Sequence, residues 1–162
     1  MAGARRWPAR VGLMTVTDTE IDILAPRPRE AAMLRVAGAL TRAHALALAS
    51  PGGGHGSVAD ILDATGARAA PGMAVRLATG LDQPGADFGS AAAALMRKCP
   101  LEVLLVQDAV ETAPPRGRFA VRIAGRLSRG RFGAPASTDL LATHAIPARI
   151  VHAGHSPDWQ AA

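Results

Sequence analysis

The sequence predicts an α+β fold in which a mostly antiparallel sheet of about five to six strands is accompanied by short helices. Three observations predict it. From Arg29 to Ala43 the apolar residues Met33, Val36, Ala37 and Leu40 recur with helical period. From Arg118 to Leu127 apolar and basic residues alternate with strand period. Between these segments lie short apolar runs broken by proline and glycine, the spacing of strands joined by turns.

Residues 1–13 are expected to be a flexible leader, with 14–162 forming one domain that ends in a helical extension. Met14 opens a more ordinary stretch and would serve as a start. Pro26 and Pro28 mark the beginning of the first helix, and Pro28 suits a first-turn position. His44 to Ser50 is short and apolar and is closed by Pro51 and three glycines, which predicts a buried strand and a turn. Ser57 to Thr65 and Met73 to Thr79 read as the second and third strands. Asp87 is placed to cap a short helix that runs to Met96 and stops at Pro100. Leu101 to Val110 is the clearest strand, followed by the alternating segment at 118–127. Thr138–Thr143 suits a last helix, before an irregular, histidine-rich end.

At 162 residues the chain has the length of a single domain. Its aromatics are only Phe88, Phe119, Phe132, Trp7 and Trp159, so alanine, leucine and valine must do most of the packing. Such a core buries little area per residue, at about 25 cal/mol per Å². A homodimer interface is therefore expected to add stability. Cys99 is the only cysteine, which excludes an intrachain disulfide and points to a reducing, cytoplasmic compartment. No run approaches the roughly 20 apolar residues that span a bilayer, so no membrane is expected. The formal charge of +5 is built almost entirely of arginine. Nucleic acid is disfavoured as a partner, because stacking aromatics and a recognisable motif are both missing.

The order helix, three strands, short helix, two long strands and final helix is that of a split β-barrel. Four segments carry a resemblance. They are Pro71–Leu77 as an inner strand, Phe88–Cys99 as the short helix, Leu101–Asp108, and Arg118–Leu127 with its Gly-Arg-Leu ending. Between Gly72 and Gly130 the chain resembles the flavin-binding split barrels of the pyridoxamine-phosphate-oxidase type. Within that superfamily it is most similar to the haem-utilisation branch and its actinobacterial relatives. The resemblance implies a dimer with a ligand in its cleft, flavin mononucleotide (FMN) in the oxidases and haem in the haem-utilisation branch. The sequence departs from the oxidases where they place basic residues for the flavin phosphate: it has Val58, Ala59 and Asp60.

For an anionic small-molecule ligand the leading residues are Arg118, Arg122 and Arg126, read as sharing one strand face. Guanidinium groups bind phosphate or propionate oxygens bidentately. A solvated strand face paired with Glu102 and Asp108 accounts for the same pattern. Arg97 and Lys98 end the short helix, where they either complement its dipole or reach a cofactor phosphate. His55, in a Gly-rich turn, and His155, in a His-x-x-His-x-x-Asp run with His152 and Asp158, are the candidate haem ligands. A plain turn and a solvated tail are the simpler explanations of both. Cys99 reads as an inert core thiol.

The expected function is haem or flavin binding by a split barrel, with oxidoreductase chemistry supplied by the cofactor. The alternative is a cofactor-free barrel that serves as a non-enzymatic partner-binding or regulatory module. Asp60 and the scarcity of aromatics speak for it.

Overall fold

A computed structural model describes residues 10–17, 20–49, 56–108, 117, 119–123, 126–130 and 137–153. These fall into two compact units, one up to Ala74 with Gln83–Cys99, the other made of Val75–Asp82 and the chain from Pro100 onward.

The first unit begins with a hairpin, β1 (Arg10–Val16) against β2 (Ile21–Pro28), bulged between Val11 and Leu13. Thr17 closes its turn: its amide donates to the Glu20 carbonyl, and its hydroxyl oxygen accepts the Glu20 amide. Four residues assigned to the leader, Arg10–Leu13, thus belong to a strand. Pro28 ends β2 and the helix α1 (Arg29–Ala49) starts on the next residue. The expected strand at His44 is instead the end of α1, because alanine and leucine are strong helix formers without β-branches.

Ser57 to Thr65 is likewise helical, within α2 (Val58–Arg68). Ser57 is its N-cap in a reciprocal capping box: the Asp60 amide donates to Ser57 Oγ, and the Ser57 amide donates to the Asp60 carboxylate at 2.7 Å. Asp60, read as a phosphate-repelling residue on a strand, is a capping residue. Those bonds from Ser57, backbone first and hydroxyl second, hold its carboxyl below its ordinary pKa. The amides of Val58 and Ala59 donate to the carbonyls of Gln83 and Pro84, so the first turn of α2 is satisfied by the loop before α3 (Phe88–Met96). Asp87 sits at the N-cap position of α3 without a side-chain cap bond. Phe88, Ala91, Ala92, Leu95 and Cys99 form one buried face, and Val58, Ala59 and Leu62 are the buried residues of α2, which packs with α3.

The second unit holds a parallel sheet in the order β3 (Val75–Thr79), β4 (Leu101–Gln107), β7 (Ala148–His152). Leu101, Val103 and Leu105 are buried on one face of β4. On the other face Glu102 takes Arg76 at 2.8 Å and Arg149 at 3.7 Å, one partner from each neighbouring strand. A second, separate sheet pairs β5 (Phe119–Ile123) with β6 (Arg126–Gly130). Helix α4 (Ser137–Thr143) precedes β7. The histidine-rich end therefore contributes an outer strand that pairs with the central β4, carried by the β-branched pair Ile150–Val151.

The split barrel is overturned. The class is α+β, but the described strands form a three-stranded parallel sheet and two separate hairpins, with no closed barrel among them. Two of the three strands expected before the short helix are helical, and β3 pairs in parallel with β4. A parallel pair needs a crossover rather than a tight turn.

Helix α4 ends in a Schellman arrangement: the Ile146 amide donates to the Leu141 carbonyl and the Ala145 amide to that of Ala142. Ala145 occupies the left-handed position at φ 52, where glycine is at ease. Ala145→Gly is therefore expected to stabilise the fold by about 0.5–1 kcal/mol, a rise in Tm of a few degrees readable by calorimetry.

Candidate functional site

Helix α1 carries only four charged residues in 21: Arg29, Glu30, Arg35 and Arg42. Its inward stripe is Ala32 and Ala39, both buried, with Val36 and Ala43 half-buried between and beyond them. One position further round runs a second series, Met33, Ala37, Leu40, His44 and Ala47, apolar except for His44, at alternating spacings of four and three. This is the repeat of a helix–helix seam. Met33 is 73% exposed, and Leu34 and Leu48, which flank the seam, are 84% and 70% exposed. A helix that is apolar nearly all round is normally a buried one.

The hairpin shows the same imbalance. The pairs Leu13–Leu24 and Thr15–Asp22 alternate with Met14–Ile23 and Val16–Ile21. Asp22 accepts from Arg42 of α1 at 2.9 Å, which fixes the first set as the helix-facing one. Ile21 and Ile23 on the other face are exposed. A cleft of about 110 Å³ lies between hairpin and helix, lined by Thr15, Thr17, Glu20, Asp22 and Arg42 among others. That is well below the roughly 300 Å³ at which pockets begin to take drug-sized ligands.

Of the residues expected to bind a cofactor, the structure describes Arg97, Lys98, Arg122 and Arg126. Lys98 Nζ donates to the Gly66 carbonyl at 2.9 Å, satisfying an end carbonyl of α2. Arg97 is the C-cap of α3 and is exposed. Arg122 and Arg126, expected four places apart on one strand, stand on different strands: Arg122 pairs with Leu127, and Arg126 with Ile123. Arg118, His55 and His155 lie outside the described residues. His152 is described, at the end of β7. Cys99 is buried, and desolvation pushes its thiol pKa up against the opposing charge of Lys98, in keeping with an inert thiol.

Sequence reasoning placed Met33, Val36, Ala37 and Leu40 on one helix face but missed that Met33 and Leu40 are exposed, although only four charges in 21 residues were a signal of apolar surface. Among the described residues no group of three or more His, Cys, Asp or Glu is set to hold a metal, and no helix is long and apolar enough to cross a membrane. No protein-family model, curated protein or solved structure matches the chain.

Proposed function

We propose that this protein is a partner-binding module that works as a homodimer, with α1 packed against α1 of a second copy. The observation that carries the reading is the exposed apolar series on α1, Met33, Leu34, Leu40 and Leu48. Exposed patches of this kind mark association surfaces. A 21-residue helix is about 31 Å long. Pairing along that length would bury on the order of 500–600 Å² on each copy, which reaches the roughly 1,000 Å² total expected of a specific interface. A second copy supplies the same apolar surface through a two-fold axis, which is what an isologous contact requires. The single buried thiol accords with a cytoplasmic setting. Haem or FMN binding drew its support from a barrel cleft, and with a parallel sheet in its place that support reduces to arginine charge.

Sedimentation velocity across micromolar concentrations tests the reading. The wild type is expected to run as a dimer. Leu34→Glu with Leu48→Glu is expected to weaken association about 100-fold or more, since each 1.4 kcal/mol is tenfold and a two-fold interface meets every new carboxylate twice. Because both sites are exposed on the single chain, its circular dichroism should not change. A wild type that stays monomeric throughout would remove the proposal.

A further inference from the structure

Net positive charge gathers in two stretches, one at the start of the chain with Arg5, Arg6 and Arg10 before the first acid, Asp18, and a larger one further on. Between Glu111 and Asp139 there are six arginines, at 116, 118, 122, 126, 129 and 131, and no acidic residue. These outweigh the whole formal charge of +5, so the remaining residues carry a net of −1. A compositional bias towards arginine would spread the excess along the chain. Segregated charge instead builds a local field that attracts polyanions.

The structure folds the middle of this run back on itself. Arg122 stands in β5, and Arg126 and Arg129 stand in β6, with Ala120 paired to Arg129 and Arg122 to Leu127. Positions 122 and 129 are thus diagonal neighbours, about 7–8 Å apart, where a single extended strand would separate them by roughly 24 Å. Like charges set this close oppose the pairing of the strands. An isolated two-stranded hairpin is only marginally stable in water. Three arginines elsewhere face acids: Arg42 faces Asp22, and Arg76 and Arg149 face Glu102. The β5–β6 ladder has no carboxylate in either strand. A polyanion would relieve that repulsion.

We propose that β5–β6 is a nucleic-acid-binding ribbon that grips the phosphate backbone of a duplex through Arg122 and Arg129, whose positions share one face of the ladder, while Arg126, at a position on the other face, adds to the local charge. Arginine rather than lysine supplies the charge, and its planar fork binds phosphate oxygens bidentately. Five-residue strands make a ribbon about 17 Å long, and the major groove, about 12 Å wide, admits two strands side by side. Ala120, Ser128 and Gly130 keep part of the ladder small, which lets its backbone approach the duplex. An anionic lipid surface would offer the same charge. However, the ribbon lacks the tryptophan and tyrosine that seat a segment at a bilayer interface. The site is separate from α1, and the proposal does not depend on dimerisation.

Fluorescence anisotropy of the full-length protein with a labelled random-sequence duplex of about two helical turns, ~20 base pairs, tests this directly. Affinity should fall steeply as salt rises from about 50 to 200 mM, with a log–log slope near −0.9 for each phosphate neutralised. The triple variant R122A/R126A/R129A should lose between about two and three units of that slope and bind about 100-fold more weakly at the lower salt. R122K/R126K/R129K keeps the charge and should retain most of the slope, which separates loss of contacts from loss of fold. Arg27→Ala, on β2, should bind like the wild type. Three results would overturn the proposal. They are no duplex binding at low salt, a slope that the triple alanine variant leaves unchanged, and capture by phosphatidylserine vesicles while the duplex goes unbound.

Discussion

Gly85→Ala is expected to cost the fold about 3–5 kcal/mol, whereas Gly72→Ala, at nearly the same backbone angle, should cost only about 1–2. Gly85 has φ 84 and Gly72 φ 85, so the strain of placing an L-residue there is common to both. Their surroundings differ. A Cβ on Gly72 meets nothing within 4 Å, while one on Gly85 would stand 2.5 Å from Ser57 Oγ and 3.2 Å from Ala59 Cβ. Ser57 cannot move aside freely, since it caps α2 and holds Asp60. Displacing it therefore adds the loss of a cap, about 1 kcal/mol, to the steric cost. Alanine also stiffens the unfolded chain, but it does so equally at both positions and cancels in the difference. Urea denaturation of the two variants reads that difference, and equal losses would show that the contact with Ser57 carries no energy.

The same corner shows how much of the fold was legible in the sequence. β4, β3, α3 and the final helix were readable because each has strong periodicity and clear stops at Gly72, Pro100 or Thr143. Two misreadings account for the wrong architecture. The alternation of His-Ala-Leu-Ala-Leu-Ala imitates a strand, but alanine has no bulk to reward a pleated surface and strong preference for a helix. At Ser57 the serine–aspartate spacing of a capping box was present, while apolar residues at 58, 61 and 62 were read as an uneven strand. With both segments helical, β3 has no antiparallel neighbour from them, and it pairs in parallel with β4 while β1 and β2 pair with each other. Pairing in parallel is a long-range outcome, and nothing local in Val75–Thr79 or Leu101–Gln107 encodes it.

The candidate surfaces were legible in a different way. The arginines at 122, 126 and 129 were visible as charge, but reading 118–127 as one strand hid the antiparallel pairing of Ile123 with Arg126. For α1, periodicity gave the helix from Arg29 and a face of Met33, Val36, Ala37 and Leu40, but the structure buries the neighbouring stripe of Ala32 and Ala39 and leaves Met33 and Leu40 exposed. Whether an apolar residue is buried depends on what the rest of the chain covers. Leu34 and Leu62 cannot be told apart by type, although one is 84% exposed and the other buried.

Phe88→Ala is expected to be the most costly core substitution in the first unit, at about 3–5 kcal/mol. Phe88 is the largest of the fully buried side chains among the described residues and opens the buried face of α3. Much of that face is alanine, at 91 and 92, and Ala59 is buried on α2. Alanines have no rotamers with which to fill a void, so the cavity persists and the loss falls towards the upper end of that range. Phe88→Leu keeps most of the volume and should cost less than about 1.5 kcal/mol. Cys99 lies on the same helical face, eleven residues on, and is buried, so its thiol reports opening of this face. A loss of 3 kcal/mol or more should speed its reaction with a thiol reagent by about 100-fold or more, because each 1.4 kcal/mol is tenfold. Labelling as slow as in the wild type would mean that the alanine-rich face closes around the gap, and that Phe88 is not what holds it together.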